Sequence, residues 1–360
     1  MITPLPHLAS MAPYALADLA AAEGKRLVSL SQNESFRPPS PMVAQAMRDA
    51  SEAPHLYPDP DWSDLRHALA DLHGLNAGQI LCGNGSLDLI GCLARTYLSA
   101  GGAALAPEHA YPFFRIATET TGARFDTAEE TDLCADIDAL LAAVKSDTKI
   151  VFIANPGNPT GTRRSGADLR RLREALPATV LLVIDEAYGE FADHLHQPLF
   201  DMVNRGDTLV LRTFSKAYGL AGMRVGWGYV PGPVAAEMRK VMNPNNVALL
   251  GQVAALAALK DQDYMGATCQ ETAALRSRFV TRMRTAGIDV PESHTNFALL
   301  RFASAEAAQR MDHALRSEGV LLRGQGGAGL PECLRATVGV ADDMDLAAEL
   351  IETQVLEEMS

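Results

Sequence analysis

Four short apolar runs are each followed by side chains or turns that can take part in covalent or acid–base chemistry. A lysine amine can act as a nucleophile, and a nearby carboxylate and phenol can bind and orient one small molecule. Ligands of open parallel sheets bind beyond the carboxyl ends of the strands, so these residues are expected to meet at one sheet edge. The first two runs are 79–82, followed by the turn 83–86, and 149–154, followed by 155–161. The other two are 180–184, followed by Asp185 and Tyr188, and 208–211, followed by Ser215, Lys216 and Arg224.

The elements that position these residues are predicted to be strands covered on both faces. The apolar runs lack the polar alternation that is typical of a half-exposed strand. Between the second and third runs, residues 165–176 repeat leucine at helical spacing, and residues 225–230 form one more strand-like run. A strand, a helix and a strand in this order predict an α/β fold with a parallel sheet.

Both ends of the chain have a different pattern, which predicts a smaller α+β domain built from the two ends together. We expect an N-terminal arm with part of the small domain at 1–36, a large cofactor-binding domain at 37–248 and the rest of the small domain at 249–360. The predicted elements of this last part are helices at 252–260 and 268–286 and strands at 295–301, 319–323 and 334–340.

Composition excludes several classes of protein. The 360 residues are 48% hydrophobic and 21% charged, as in ordinary globular chains, and the formal net charge is −13. Nucleic-acid binding needs a basic face, so neither a nucleic acid nor an anionic membrane is an expected partner. The five cysteines are odd in number and show no metal-ligand spacing, so no metal site is expected. The N-terminus has no signal-peptide pattern, which favours the cytoplasm.

Each motif alone is compatible with an ordinary turn, a helix cap or a surface residue, but their order along the chain is specific. The set Asn155-Pro-Gly-Asn158-Pro-Thr-Gly, Asp185-Glu-Ala-Tyr188 and Ser215-Lys216 resembles the fold type I pyridoxal-phosphate enzymes. Over nearly its whole length the chain is similar to the class I/II aminotransferases, and to their histidinol-phosphate branch in particular. The resemblance implies an aspartate aminotransferase-like fold, with a mostly parallel seven-stranded sheet flanked by helices, and pyridoxal 5'-phosphate as cofactor.

The resemblance also implies roles for the residues around the cofactor ring. Lys216 matches the lysine that binds the cofactor aldehyde covalently. This role requires the unprotonated form of the amine, which is the nucleophilic one. Asp185 matches the partner of the pyridine nitrogen. Tyr188 and Asn158 match residues that hydrogen-bond the ring's 3-hydroxyl oxygen, and Tyr111 matches an aromatic side chain stacked on the ring.

The cofactor phosphate needs hydrogen-bond donors, and the resemblance assigns five residues to it. Gly85 and Ser86 offer backbone N–H groups where a helix is predicted to begin. Thr213 and Ser215 add hydroxyl groups, and Arg224 adds a fixed cation. A local positive pocket of this kind is compatible with an acidic chain.

Substrate contacts are implied for residues from both ends of the chain. Arg335 matches the arginine that binds a substrate carboxylate, and Arg323 and Tyr14 match residues that bind the phosphorylated substrate in the histidinol-phosphate branch. Tyr57 matches a tyrosine that crosses a homodimer interface to the neighbour's cofactor phosphate, which implies shared active sites. The resemblance also implies that Asn158 contacts the substrate.

The segments nearest the substrate depart from the pattern of the branch. The usual Asn-x-Asn-Glu-Asn-Pro is here Ser31-Gln-Asn-Glu-Ser-Phe, and the resemblance implies that the retained Asn33 binds substrate. The usual Gly-x-Gly-Ser/Ala-Asp-Glu here ends in Leu87-Asp88. Residues 324–329 fit G-x-G-x-x-G without the helix that a dinucleotide site requires, so a flexible loop beside Arg323 is predicted.

Three functions fit this set of residues. The first is a pyridoxal-phosphate aminotransferase that uses glutamate and 2-oxoglutarate with a second amine, histidinol phosphate or an aromatic amino acid. The second is a decarboxylase of a phosphorylated amino acid, of the threonine-phosphate type, since a fold does not fix the reaction. The third is a non-catalytic pyridoxal-phosphate-binding regulator, although the N-terminal segment is too short for a DNA-binding head.

Overall fold

Strands alternate with helices through most of the chain, as the spacing of the apolar runs predicts. The structure, a computed structural model, describes residues 2–9, 11–12, 20, 23–195 and 198–359. The strands of this part are β1 (Val28–Ser29), β2 (Ile80–Gly83), β3 (Ala103–Pro107), β4 (Arg124–Ala128), β5 (Glu130–Thr131), β6 (Cys134–Ala135), β7 (Thr148–Ala154), β8 (Leu181–Asp185), β9 (Thr208–Thr213), β10 (Gly226–Tyr229), β11 (Phe297–Arg301), β12 (Val320–Leu321), β13 (Arg323–Gln325) and β14 (Leu330–Thr337).

The helices cover both faces of the largest sheet and surround the smaller ones. Among the described residues, no helix is both long and apolar enough to cross a membrane. The helices are α1 (Pro6–Ala9), α2 (Pro41–Ala50), α3 (Ser63–His73), α4 (Ser86–Tyr97), α5 (Pro112–Glu119), α6 (Ile137–Ala143), α7 (Gly166–Ala175), α8 (Gly232–Arg239), α9 (Leu249–Leu259), α10 (Gln262–Thr285), α11 (Ala305–Ser317) and α12 (Ala341–Met359).

The largest sheet has seven strands in the order β2-β10-β9-β8-β7-β3-β4. Only β10 runs antiparallel to its neighbours, so the predicted, mostly parallel sheet is confirmed. Its central strands are buried on both faces, which explains why their sequences lack polar alternation. The register places Ala154 beside Asp185 and Asp185 beside Leu211, so that the three strands end at one edge.

Local capping sets the ends of the helices between these strands. The predicted helix at 165–176 is observed as α7, with Ser165 and Leu176 as its caps. Ser165 and Asp168 form a reciprocal capping box, which satisfies backbone N–H groups of the first turn. In the C-terminal part, α10 begins earlier than the predicted residue 268 because the Asp261 side chain caps it, accepting a hydrogen bond from the Tyr264 N–H at 3.2 Å.

A second core joins the two ends of the chain. The antiparallel sheet β11-β14-β13 lies beside the short parallel pair of β1 with β12. Val28 and Leu30 of the N-terminal segment share buried contacts with Met283, Val320 and Ile351. The chain ends therefore meet as the sequence suggests, while the exact domain limits at 36/37 and 248/249 stay predictions.

The glycine-rich segment after residue 318 differs from the prediction. The strand expected at 319–323 is two strands, since β12 pairs with β1 whereas β13 pairs with β14. The segment 324–329, predicted as a flexible loop, has regular secondary structure in most of its length, because β13 includes Gly324 and Gln325 and a 3-10 turn spans Gly326–Ala328. The hydrogen bonds between strands involve only backbone groups, so a glycine-rich sequence can form part of a strand although it lacks the side-chain pattern that predicts one.

Candidate active site

Residues that follow β7, β8 and β9 converge at the edge where these parallel strands end. Asp185 is the last residue of β8, and Thr213 is the last residue of β9. Asn158 and Lys216 lie a few residues beyond the ends of β7 and β9. The expected convergence of these residue types at one sheet edge is therefore observed.

The Lys216 amine lies at the centre of this group. Its Nζ donates a hydrogen bond to the backbone oxygen of Asn33 at 3.0 Å and lies 5.8 Å from the centre of the Tyr188 ring. The pKa of Lys216 is lowered to about 8, mainly by burial and then by the Arg335 and Arg224 guanidinium groups, against the opposing effect of Glu34 and Asp185. A lysine with such a pKa keeps a reactive fraction of neutral amine near physiological pH.

Asp185 is a buried carboxyl group whose charge acts on this amine. Its side chain is 4% exposed, and its Oδ1 accepts a hydrogen bond from the Ala187 N–H at 3.0 Å. Burial raises its pKa to about 7, with a smaller contribution from the adjacent Glu186 carboxylate. A carboxylate that is costly to ionise in this position is well suited to a cationic ligand atom such as a protonated ring nitrogen.

Asn33 connects the amine to Tyr188 and to the small sheet. Its Nδ2 donates to the Tyr188 hydroxyl at 2.7 Å, and its backbone N–H donates to Thr337 Oγ1 at 2.9 Å. The Asn296 side chain donates to the Asn33 backbone oxygen at 3.1 Å. Asn33 has a φ of +55°, a left-handed conformation that asparagine tolerates better than most residues. Asn33 is therefore fixed on several sides beside the reactive lysine.

The polar groups expected to bind a phosphate lie together at the start of α4. Gly85 is the N-cap residue of α4, with a φ of +81°, and Ser86 is the first residue of the helix. The Thr213 hydroxyl donates to Ser215 Oγ at 3.0 Å, and Arg224 Nη1 donates to the same oxygen at 3.5 Å. This combines a helix N-terminus, two hydroxyl groups and a guanidinium group.

Glycine at position 85 is required by this arrangement. A Cβ on Gly85 would lie 2.7 Å from Arg224 Nη2, closer than real contacts allow, so only glycine lets the guanidinium group reach the turn. Together with the buried carboxyl of Asp185 and the amine of Lys216, the donor set fits a ligand with an aldehyde, a basic ring nitrogen and a phosphate. Pyridoxal 5'-phosphate has these three features.

Arg335 lies on β14 and points into the same region. Its Nη1 donates to Asn158 Oδ1 at 2.6 Å, its Nη2 donates to the Ser31 backbone oxygen at 3.0 Å, and its guanidinium lies 5.2 Å from the Phe297 ring centre. In the ladder between β13 and β14, Arg323 is directly opposite Arg335. The structure thus places the two predicted substrate arginines as cross-strand neighbours.

Of the three other aromatic residues predicted for the site, the structure describes Tyr111 and Tyr57. Tyr111 is half-buried at the N-cap of α5, where its ring meets the edge of Phe114 with the ring centres 5.9 Å apart. Tyr57 is 86% exposed in the segment between α2 and α3. Tyr14 lies outside the described residues. Their contacts with cofactor or substrate stay predictions.

Sequence reasoning missed the second layer of the site, in particular Thr337 and Asn296. Thr337 is two residues beyond Arg335 on β14, so the alternation of strand side chains was a signal that both face the same side. Asn296 directly precedes β11 and is 2% exposed, but a buried asparagine at a strand end has no sequence signature of its own.

A buried ion cluster, also missed, lies next to Asp185 along the chain. Arg212 is 1% exposed and donates to Glu186 Oε2 at 2.7 Å and to both Asp193 oxygens at 2.8 Å. The more distant Glu190 has its pKa raised to about 7 by burial. Arg212 is the cation that makes the burial of these carboxylates possible.

Comparisons with known proteins identify the family of the chain. The sequence profile named aminotransferase class I and II matches residues 25–351. A histidinol-phosphate aminotransferase of Hyphomonas neptunium is 38% identical over 345 residues, which cover 95% of this chain and 94% of that protein.

Solved structures give the same result. A histidinol-phosphate aminotransferase of Sinorhizobium meliloti in complex with pyridoxal-5'-phosphate superposes with a TM-score of 0.90 at 31% identity, covering 99% of this chain and 98% of that chain. A Thermus thermophilus aspartate aminotransferase double mutant shares the fold, with a TM-score of 0.85 at 19% identity, covering 99% of this chain and 100% of that chain. The aspartate aminotransferase-like fold is confirmed, and the chain belongs to the class I and II aminotransferase family.

Proposed function

We propose that this aminotransferase uses pyridoxal 5'-phosphate to move an amino group between glutamate and a phosphorylated amine of the histidinol phosphate type. The observation that carries the proposal is the Lys216 amine, which lies between the buried Asp185 carboxyl, the phosphate-binding cluster around Arg224 and the substrate arginine Arg335. The relatives named for this activity, which match the chain over nearly its whole length, support the choice of substrate.

The chain's own residues would divide the work of the reaction. When bound, the cofactor supplies an aldehyde that takes up amines and a ring that draws electrons from the substrate Cα. Asp185 would hold the proton on the ring nitrogen, and Tyr188 and Asn158 would bind the ring's hydroxyl oxygen. Ser86, Thr213, Ser215 and Arg224 would hold the phosphate, which orients the ring against Lys216.

Lys216 would also move the proton at the substrate Cα. With a pKa of about 8, roughly a tenth of this amine is neutral at pH 7, against less than a thousandth at the ordinary lysine value of 10.5. The Asn33 backbone oxygen, which accepts a hydrogen bond from Nζ at 3.0 Å, would orient the amine when it is free. A general base matched to the operating pH is the condition for efficient proton transfer.

The cross-strand arginines support an anionic substrate. Like charges directly opposite each other in an antiparallel ladder destabilise it, and an anion bound between Arg323 and Arg335 would offset that cost. A guanidinium group binds either a carboxylate or a phosphate through two hydrogen bonds. The same pair could therefore receive the carboxylate of glutamate and the phosphate of the second substrate in turn.

A closed homodimer and a cytoplasmic location remain predictions from sequence. Leu56 and Tyr57 are 60% and 86% exposed, and packing of these two large side chains against a partner subunit would remove apolar surface from water, which supports an interface at this segment. In that dimer Tyr57 would reach the neighbour's cofactor phosphate.

The test is the absorption spectrum of the cofactor-loaded protein, recorded before and after addition of L-glutamate or histidinol phosphate to separate samples. The proposal predicts a visible band of protein-bound cofactor that both amines bleach. Bleaching by glutamate alone would support the aminotransferase activity and would exclude histidinol phosphate as the second substrate. A band that neither amine bleaches would favour a decarboxylase of a phosphorylated amino acid.

A further inference from the structure

The segment that carries Tyr57 ends at a strained residue, Trp62. Trp62 precedes α3 and has a φ of +50° and a ψ of 36°, a left-handed conformation that is unusual for a bulky side chain. Its side chain is nevertheless buried, with 3% exposure. A residue stays in such a conformation only where its surroundings fix it, and strain of this kind is concentrated at functional sites.

A chain of hydrogen bonds connects Trp62 to the turn that begins α4. The indole N–H of Trp62 donates to Asn246 Oδ1 at 3.0 Å, and Asn246 Nδ2 donates to Asp88 Oδ2 at 3.0 Å. The same Asp88 oxygen accepts a hydrogen bond from the backbone N–H of Asn84 at 3.1 Å. Asn246 Nδ2 also donates to the Cys82 backbone oxygen at 3.1 Å.

This chain fixes the turn at residues 83–86 from one side, and β10 fixes it from the other. A Cβ on Gly226 of β10 would lie 2.2 Å from the Ser86 backbone nitrogen, so the turn lies directly against the strand. Asn246 has one possible amide orientation here, because its oxygen accepts from the indole while its nitrogen donates to a carboxylate and a carbonyl. The turn is therefore held in one place, with Ser86 at the start of the helix.

We propose that Asn246 and Asp88 are positioning residues for the cofactor phosphate, and that they couple the phosphate-binding turn to the Trp62 end of the Tyr57 segment. The inference rests on the proposed function, in which Gly85 and Ser86 bind the phosphate. Neither residue touches the cofactor in this account; they act through the backbone of Asn84 to Ser86. Phosphate binding would then tighten the Tyr57 segment as well as the turn.

The test compares the affinity of the apoprotein for pyridoxal 5'-phosphate with its affinity for pyridoxal, which lacks the phosphate. Asn246→Leu removes the hydrogen bonds to Trp62, Asp88 and Cys82 at similar side-chain volume. We expect it to weaken pyridoxal 5'-phosphate binding about tenfold or more and pyridoxal binding less than about twofold, because only the phosphate contacts the turn. Equal losses for both ligands, or no loss, would overturn the inference.

Gln252→Leu is the matched control. Gln252 Nε2 donates to the Asp59 backbone oxygen at 2.9 Å, so it is a second amide that holds the same segment, and it also donates to the Val247 backbone oxygen at 3.0 Å. This variant should leave the ratio of the two affinities unchanged. If Gln252→Leu reduces the preference for pyridoxal 5'-phosphate over pyridoxal as much as Asn246→Leu does, the loss comes from loosening of the Tyr57 segment in general, and the inference is wrong.

Hydrogen exchange of the Asp61 and Trp62 amides, which are set apart from the expected contact of Tyr57 with the neighbour's cofactor phosphate, provides a second readout. Pyridoxal 5'-phosphate should slow exchange in the wild type and in Gln252→Leu, but not in Asn246→Leu; equal slowing in all three would overturn the coupling. Asn246→Ala removes the same atoms without added bulk and replaces Asn246→Leu if that variant does not fold. A wild type that binds neither ligand would contradict the proposed function itself, whereas an unchanged affinity ratio contradicts this inference alone.

Discussion

Replacing Arg335 by glutamine should change both substrate binding and the reactive lysine. Arg335 is 9% exposed, and its guanidinium group is held by Asn158 and Ser31. A buried charge-assisted hydrogen bond to a carboxylate contributes about 1.5–3 kcal/mol. Loss of that contact should lower kcat/KM for L-glutamate roughly 10- to 150-fold, since each 1.36 kcal/mol is a factor of ten.

The same variant should raise the pKa of the Lys216 amine. Burial is the largest cause of its lowered pKa of about 8, and Arg335 is the largest cause among the neighbouring charges. Removing a nearby cation makes the ammonium form easier to keep, so the pKa moves up and less neutral amine is present at a given pH. The rate at which an amine-specific reagent modifies Lys216 in the apoprotein, measured against pH, reports this shift directly.

Arg323→Gln is the control for this experiment. Arg323 is the cross-strand neighbour of Arg335, but it is not among the main charges that act on Lys216. Arg323→Gln should weaken binding of the phosphorylated substrate while leaving the pH dependence of lysine modification unchanged. Unaltered glutamate kinetics together with an unaltered lysine pKa in Arg335→Gln would refute the placement of Arg335 in the site.

Three further predictions concern the lysine and the buried charges. Lys216→Ala should abolish turnover and the visible band of bound cofactor, and turnover near the normal rate would remove the lysine from its role. Arg212→Met leaves Glu186 and its neighbouring carboxylates buried without their cation, so urea unfolding should show a loss of about 3–5 kcal/mol. The pKa of Asp185 is raised to about 7 from the ordinary 3.8, so its contribution to apoprotein stability is fully present below about pH 4 and is lost as pH rises through 7. Asp185→Asn should therefore raise the Tm of the apoprotein more at pH 8 than at pH 5, and an equal change at both pH values would contradict the assignment.

The sequence predicts the central sheet and the first layer of the site because both depend on local patterns. Asp185 and Lys216 follow continuous apolar runs, and the ends of parallel strands meet by geometry alone. The positions of residues at the ends of such strands follow from the order and direction of the strands and do not depend on side-chain packing elsewhere in the protein.

The second layer depends on contacts between distant parts of the chain and could not be derived in this way. The Asn33 backbone donates to Thr337, 304 positions away, and this contact exists only because the N-terminal segment runs beside β14. The fold also brings Arg335 close enough to Lys216 to lower the pKa of the amine more than Arg224 does, and no local sequence pattern indicates this. Pairing of β12 with β1 likewise splits a run that reads as one strand.

The most direct test of the proposed reaction follows the nitrogen atom itself. The protein, loaded with pyridoxal 5'-phosphate, is incubated with [15N]glutamate and the keto counterpart of histidinol phosphate, and the products are analysed by mass spectrometry. The account predicts 15N in histidinol phosphate and an equal amount of 2-oxoglutarate. Recovery of the keto substrate unchanged, with no 15N in histidinol phosphate and no 2-oxoglutarate formed, would contradict it.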